Sequence, residues 1–323
     1  MVLERLDRQK IYASVSFTGA WLFRLSLITL LLICNSAQAA LSIQNANKLI
    51  NAQQLHSTMQ SESNWVLLDI RPRFQYMLGH IPNAHNIWRP AYEADDWTYP
   101  IKGMRASKKK MAQLLSHFGV NPDTTIILYN EHNNSDSAYL WWILTLYGHT
   151  NTVLLDGGLM AWKRAGFHTS FKIPRTPVKG QYIFNHHHAA SELLAELNDV
   201  KSILTNQDVL LLDVRPKAEA TGQKRASGAQ RKGRIPHSLW LDYTETIDEN
   251  GFLSKQQLET LFTQKGIKPS QTIIIYCHSG VASANALFVL KMLLKYPDVR
   301  NYDGSWVEWS SIKELPITKG LIK

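Results

Sequence analysis

Short apolar runs alternate with amphipathic stretches along most of this chain. In its second half, Val209–Asp213, Thr272–Tyr276 and Val299–Tyr302 are short runs weighted towards β-branched and aromatic side chains and bounded by polar turns, which predicts strands. Ser254 stands as N-cap to an amphipathic stretch that runs to Lys265, with Gly266 as its stop. A second helix is predicted over residues 284–295, opening with Ala284-Asn285-Ala286-Leu287-Phe288. Strands alternating with helices predict an α/β fold, a mostly parallel sheet covered on both faces. Ligands of such sheets bind beyond the carboxyl ends of the strands.

The pattern is written twice. Leu67-Leu68-Asp69-Ile70-Arg71-Pro72 recurs as Leu211-Leu212-Asp213-Val214-Arg215-Pro216, and Ile81-Pro82 recurs as Ile235-Pro236. Ile126-Ile127-Leu128-Tyr129-Asn130 recurs as Ile273-Ile274-Ile275-Tyr276-Cys277. Beyond that point the spacing is locked: Asp156 and Asp303 both lie 26 residues on, Gly157 and Gly304 27, and Trp162 and Trp309 32. Matched residues at matched offsets mean a duplicated domain. The copies are placed at 40–166 and 188–323, with 167–187 as linker, because the Pro- and Gly-bearing stretch 167–184 has no periodicity.

Residues 1–39 break the pattern and read as an export leader. Arg5, Arg8, Lys10 and Arg24 precede the apolar run Leu25 to Ile33, and Ala37-Gln38-Ala39 is a small-x-small cleavage signal before Ala40. That run is shorter than the ~20 residues that span a bilayer, so cleavage and no stable membrane anchor are expected, with a periplasmic or otherwise exported mature chain. The formal charge is +9 and the basic residues are scattered, with Lys108-Lys109-Lys110 the only tight run. A solvated helix face accounts for that run, and no nucleic-acid partner is expected.

Removal of the leader takes Cys34 with it and leaves Cys277 as the only cysteine. An internal disulfide is then excluded, and an exported chain has a chemical reason to keep a solitary thiol. Cys277 ends an apolar strand and precedes the small and polar run His278-Ser279-Gly280-Val281-Ala282-Ser283 and a helix. Strand, tight loop and helix place the sulfur where free N–H groups and the helix dipole favour an anion, the setting of a thiolate nucleophile. A small buried hydrophobe at a strand end is the competing reading of the same local sequence.

The duplicated layout and the cysteine loop resemble the tandem rhodanese sulfurtransferases, which act on thiosulfate or 3-mercaptopyruvate. Val299-Arg300-Asn301-Tyr302-Asp303-Gly304-Ser305-Trp306-Val307-Glu308-Trp309 fits the family's C-terminal signature. Tyr76-Met77-Leu78-Gly79-His80-Ile81-Pro82-Asn83-Ala84 resembles its N-terminal one, with Asn83 where glycine is usual. The resemblance implies two rhodanese-like domains, the first lacking the cysteine and carrying Asn130 instead. It implies Cys277 as the catalytic residue, taking sulfur from a small anionic donor as a persulfide and passing it to cyanide, a thiol or a thioredoxin-like protein. His278, Ser279, Gly280, Val281, Ala282 and Ser283 are the implied substrate-binding loop. No cofactor and no metal is expected, the run His186-His187-His188 included.

Donor choice divides the loop. Ser279-Gly280 matches the mercaptopyruvate type, but the arginine that this type places four residues after Arg215 is Glu219 here, which would repel an anion. The expectation is thiosulfate or another sulfane donor, with 3-mercaptopyruvate or a non-enzymatic persulfide carrier as alternatives. Lys224, Arg225, Arg231 and Lys232 are either substitutes for the missing charge or a solvated loop. A Cys-x5-Arg phosphatase is excluded by Ser283 at the arginine position, and a dithiol oxidoreductase by the lack of Cys-x-x-Cys. Trp306 and Trp309 are expected in the core, His80 in a structural turn, and Asp69–Arg71 and Asp213–Arg215 as structural ion pairs.

Overall fold

A computed structural model describes residues 48–322 apart from 61–63, 96–97, 100, 176–177 and 207; the expected leader lies outside the described residues. The first unit runs β1 (Leu49–Ile50), α1 (Ala52–Met59), β2 (Trp65–Asp69), α2 (Arg73–Met77), β3 (His85–Asn86), α3 (Lys108–His117), β4 (Thr125–Tyr129), α4 (Ser135–Tyr147), β5 (Thr152–Leu155) and α5 (Gly158–Arg164). The second repeats it as β6 (Leu194–Ala195), α6 (Leu197–Ser202), β7 (Val209–Asp213), α7 (Lys217–Ala220), β8 (Leu239–Trp240), the hairpin β9 (Ile247–Asp248) and β10 (Gly251–Phe252), α8 (Lys255–Gln264), β11 (Thr272–Tyr276), α9 (Val281–Phe288), β12 (Val299–Tyr302) and α10 (Ser305–Ser311).

Each unit is a five-stranded sheet, ordered β1-β5-β4-β2-β3 and β6-β12-β11-β7-β8, with every pairing parallel. Strand parity decides which core each side chain enters. Leu67, Ile127 and Val153 face a core private to the first domain, and Leu211, Ile274 and Tyr276 one private to the second. Their neighbours Leu68, Ile126, Leu128, Leu212, Ile273 and Ile275 face a core that both domains share. Helices α4 and α9 pack together through it, with Trp141 edge-on to Phe288 at 4.9 Å between centroids. A helix apolar on nearly all sides is explained by this shared burial.

The repeated motifs prove to be clips. Arg215 binds Asp213 and gives Nη2 to Gly233 O at 2.9 Å, and Arg71 binds Asp69 and gives Nη2 to Gly79 O at 2.8 Å. Both carbonyls belong to glycines at φ +125°, a conformation that suits a residue without Cβ. The paired aspartates at the later offset clasp the opposite domain. Asp156 Oδ1 accepts from Phe252 N in the β9–β10 hairpin at 3.0 Å, and Asp303 Oδ2 accepts from Arg105 N at 3.0 Å.

The second predicted helix begins earlier than its pattern suggested. Gly280 adopts φ 82° as N-cap and its carbonyl accepts from Ala284 N, so residues 281–283 form the first helical turn; past Phe288 the chain winds into a π turn over Val289–Leu293. His80 is fully buried, stacked on Tyr76 at 3.8 Å and bonded to the carbonyls of Tyr76 and Lys172, so it ties the segment after α5 to the first domain. Trp306 and Trp309 lie in the private core of the second domain. Among the described residues no helix is long and apolar enough to cross a membrane, and no group of three or more His, Cys, Asp or Glu side chains is placed to hold a metal.

Candidate active site

Parity also aims the cysteine. Ile273, Ile275 and Cys277 share one face of β11, so the thiol points towards the shared core and is 2 % exposed. The turn after it is held from below by one hydroxyl. Ser305 Oγ accepts from Cys277 N and from Gly280 N, each at 3.1 Å, while donating to Tyr302 O at 2.7 Å. Trp306 N and Val307 N then bind the carbonyls of Cys277 and His278. Gly280 carries the turn close over Asp303, where an added Cβ would stand 2.6 Å from Oδ1. The first-turn N–H groups of α9 lack intrahelical acceptors, and the Ser283 hydroxyl donates to Cys277 Sγ at 3.4 Å.

Above the sulfur lies a cleft of about 720 Å³ between the domains. Cys277, His278, Ser279, Val281 and Ala282 line it; Gly280, with its N–H given to Ser305, and the buried Ser283 sit behind them. Glu219 stands in its wall, and Lys224 and Arg225 are exposed around it, while Arg231 turns away to bind the carbonyls of Trp309, Ser310, Ile312 and Leu315. Lys232 bonds Gln223 O. Of the four cations in 222–233, two therefore face the cleft.

The first domain's contribution was not legible in the sequence. Arg89 donates from Nη2 to Ser279 Oγ at 3.1 Å and pairs with Glu93 at 2.5 Å. Asp136, from the first turn of α4, lines the same cleft, and burial pushes its carboxyl above the usual range against the pull of Arg89. Burial likewise lowers the His278 imidazole below its ordinary value, with Arg215 and Arg89 opposing its protonation and Glu219 favouring it. His278 stands where the first domain has Glu131, whose carboxylate takes Arg71 Nη1 at 2.8 Å. In the first domain the equivalent of the sulfur is an amide: Asn130 Oδ1 accepts from Asn134 N and Nδ2 donates to Asn133 Oδ1, each at 3.0 Å. That loop fills its own anion site.

Fold and cleft together define a tandem α/β protein with a thiol-bearing loop in one copy and a self-capped loop in the other. The chain belongs to the rhodanese-like domain family, a family of sulfurtransferases, which matches residues 51–165 and 196–312. Among its relatives, the sulfur carrier protein TtuD of Thermus thermophilus is 32 % identical over 254 residues, covering 76 % of this chain and 87 % of that protein. A thiosulfate sulfurtransferase of Corynebacterium glutamicum is 29 % identical, covering 84 % and 91 %. The anaerobic ergothioneine biosynthesis enzyme of Chlorobium limicola superposes with a TM-score of 0.75 at 23 % identity, covering 85 % of this chain and 71 % of that one. YnjE superposes with a TM-score of 0.74 at 24 % identity, covering 85 % and 68 %. These two likenesses are of fold.

Proposed function

We propose that this protein moves a sulfane sulfur from thiosulfate, or a related donor, to a thiophilic acceptor through a persulfide on Cys277. The position of the thiol carries the reading: it stands at a parallel strand's carboxyl end, before a helix N-terminus, on the floor of the cleft between the domains. The Cys277 thiolate attacks the outer sulfur of thiosulfate; the new S–S bond forms as the old one breaks, and the electron pair leaves with sulfite. Cyanide or a thiol then takes the outer sulfur and returns the thiolate. Helix N–H groups and the Ser283 hydroxyl are suited to hold the sulfur anion in both half-reactions. A thioredoxin-like protein is a candidate acceptor, and the relative named as a sulfur carrier favours a second reading, in which the persulfide goes to a protein partner with little turnover on small molecules.

Incubation with thiosulfate and no acceptor should add one sulfur, about 32 Da, to the peptide containing Cys277, and cyanide should remove it. An adduct with turnover would support the enzyme; no adduct with any sulfane donor would overturn that reading and favour the carrier, loaded by a protein partner.

Donor preference follows from Glu219. A carboxylate held ~5 Å from another at an effective dielectric near 20 costs roughly 3 kcal/mol, reduced by solvent to about one decade in binding. Thiosulfate meets the same repulsion, but its sulfonate suits backbone N–H groups. Higher kcat/KM is expected with thiosulfate than with 3-mercaptopyruvate, and Glu219→Arg should narrow or reverse the ratio. A preference of about tenfold for 3-mercaptopyruvate in the unsubstituted protein would show that Ser279 is the better guide.

We further propose export. N-terminal sequencing after cell fractionation should find the protein outside the cytoplasm and beginning at or near Ala40, and a chain kept in the cytoplasm and still starting at Met1 would refute it.

A further inference from the structure

Five large apolar side chains stand together in solvent on the first domain. Phe74, Met77 and Leu78 lie at i, i+3 and i+4 along α2 and its cap, at 65, 48 and 76 % exposure. Phe171 and Ile173, 71 and 57 % exposed, come from the segment after α5. A bridge between His80 and Ser170 joins the two pieces. The Phe171 ring lies 3.8 Å from where a Cβ on Gly79 would stand, and Met77, Ile173 and Arg73 line one depression. Single exposed apolar residues are ordinary, but a contiguous group marks a contact surface. The repeat supplies a control. On and after α7 the matching positions are Ala218, Thr221 and Gly222, and the Arg234–Thr318 bridge puts Lys319 in the place of Phe171. Only Ile173 keeps an apolar counterpart, Leu321. The fold therefore does not require these side chains.

Charge indicates what covers the patch. Residues 70–92 and 157–191, from which this face is drawn, contain several Lys and Arg and no Asp or Glu. Arg73, Lys172 and Arg175 are exposed within or beside the apolar group. The acids at the neighbouring strand ends, Asp69 and Glu131, are both paired with Arg71. A second copy of so basic a face would repel the first, which disfavours self-association. We propose that this face docks reversibly on an anionic lipid membrane. Side chains that stand largely free of the protein suit a soft interface, because a rigid protein partner would need a matching hole for each. Phe74, Leu78 and Phe171 enter the boundary between headgroups and acyl chains, and Arg73, Lys172 and Arg175 stay level with the phosphates. None of these residues lines the Cys277 cleft, so the inference is independent of sulfur transfer.

The test is co-sedimentation of the chain from Ala40, which keeps every described residue, with vesicles of phosphatidylcholine alone or mixed equally with phosphatidylglycerol. Binding to the mixed vesicles should be about tenfold or more tighter, and added salt should weaken it. Phe74→Ala combined with Leu78→Ser should weaken that binding by about tenfold or more at an unchanged melting temperature. Arg73→Gln combined with Lys172→Gln should remove most of the preference for the anionic vesicles, again without a change in melting temperature. No vesicle binding, equal binding to both vesicles, or binding that survives both pairs of substitutions overturns the proposal. Retention on polyglutamate in place of vesicle binding, or self-association that the Phe74 and Leu78 substitutions abolish, would assign the face to a protein and overturn it too.

Discussion

Cys277→Ser is expected to lower sulfur transfer by about a thousandfold or more, while Asn130→Ala keeps most of it, when thiocyanate formed from thiosulfate and cyanide is measured. Serine preserves the shape of the turn, since the backbone contacts through Ser305, Trp306 and Val307 do not involve sulfur. What it removes is the atom that attacks and then carries the outer sulfur, and no other cysteine is present among the described residues. Asn130 occupies the matching place in the first domain but already binds its own loop. Truncating it should cost only about 1–2 kcal/mol of stability. Substantial turnover in Cys277→Ser would mean that the sulfur travels by another route.

Asp303→Ala should destabilise the protein by about 3–5 kcal/mol in urea denaturation, and Asp156→Ala, at the matching position, by about 1–2 kcal/mol. The two aspartates occupy the same place in the repeat and perform the same clasp, yet their partners differ in charge. Asp156 takes the amide of Phe252. Asp303 takes the amide and the guanidinium of Arg105, at 3.0 and 2.9 Å, and the hydroxyl of Tyr139 at 2.9 Å, all while 1 % exposed. Its removal strands a largely buried cation between the domains, the costly way to break an ion pair. Arg105→Ala in the Asp303→Ala background should therefore cost less than the separate losses added together. Equal losses for the two aspartates would show that the charge contributes nothing to the clasp.

Gly280 passes close over Asp303, so weakening the Asp303 contacts should reach the Cys277 loop. Sulfur-transfer activity of Asp303→Asn at a temperature where it stays folded offers a check, because that variant keeps the shape and loses the charge.

Much of the second domain was legible because its signals are local. Val209–Asp213, Thr272–Tyr276 and Val299–Tyr302 are strands as their composition predicts, and Ser254 caps a helix that stops at Gly266. The start of α9 was misplaced because Val281, Ala282 and Ser283 read as loop by composition. Gly280 at positive φ can cap a helix directly, and nothing in the local pattern distinguishes that from an ordinary turn glycine.

The repeat was equally plain, but its meaning was not. Offsets of 26 residues in both copies reveal that Asp156 and Asp303 are equivalent without revealing that each reaches into the other domain. The family, the tandem layout and the place of Cys277 at a strand end were fixed by sequence, because periodicity, repetition and motif spacing are properties of neighbouring residues. The cleft was decided by tertiary structure. Arg89 meets Ser279 across 190 positions, and Asp136 joins Glu219, Lys224 and Arg225 around one sulfur, only because α4 and α9 bury their apolar faces against each other. Contacts of that range leave no period in the chain, and the helix packing that creates them depends on both domains at once.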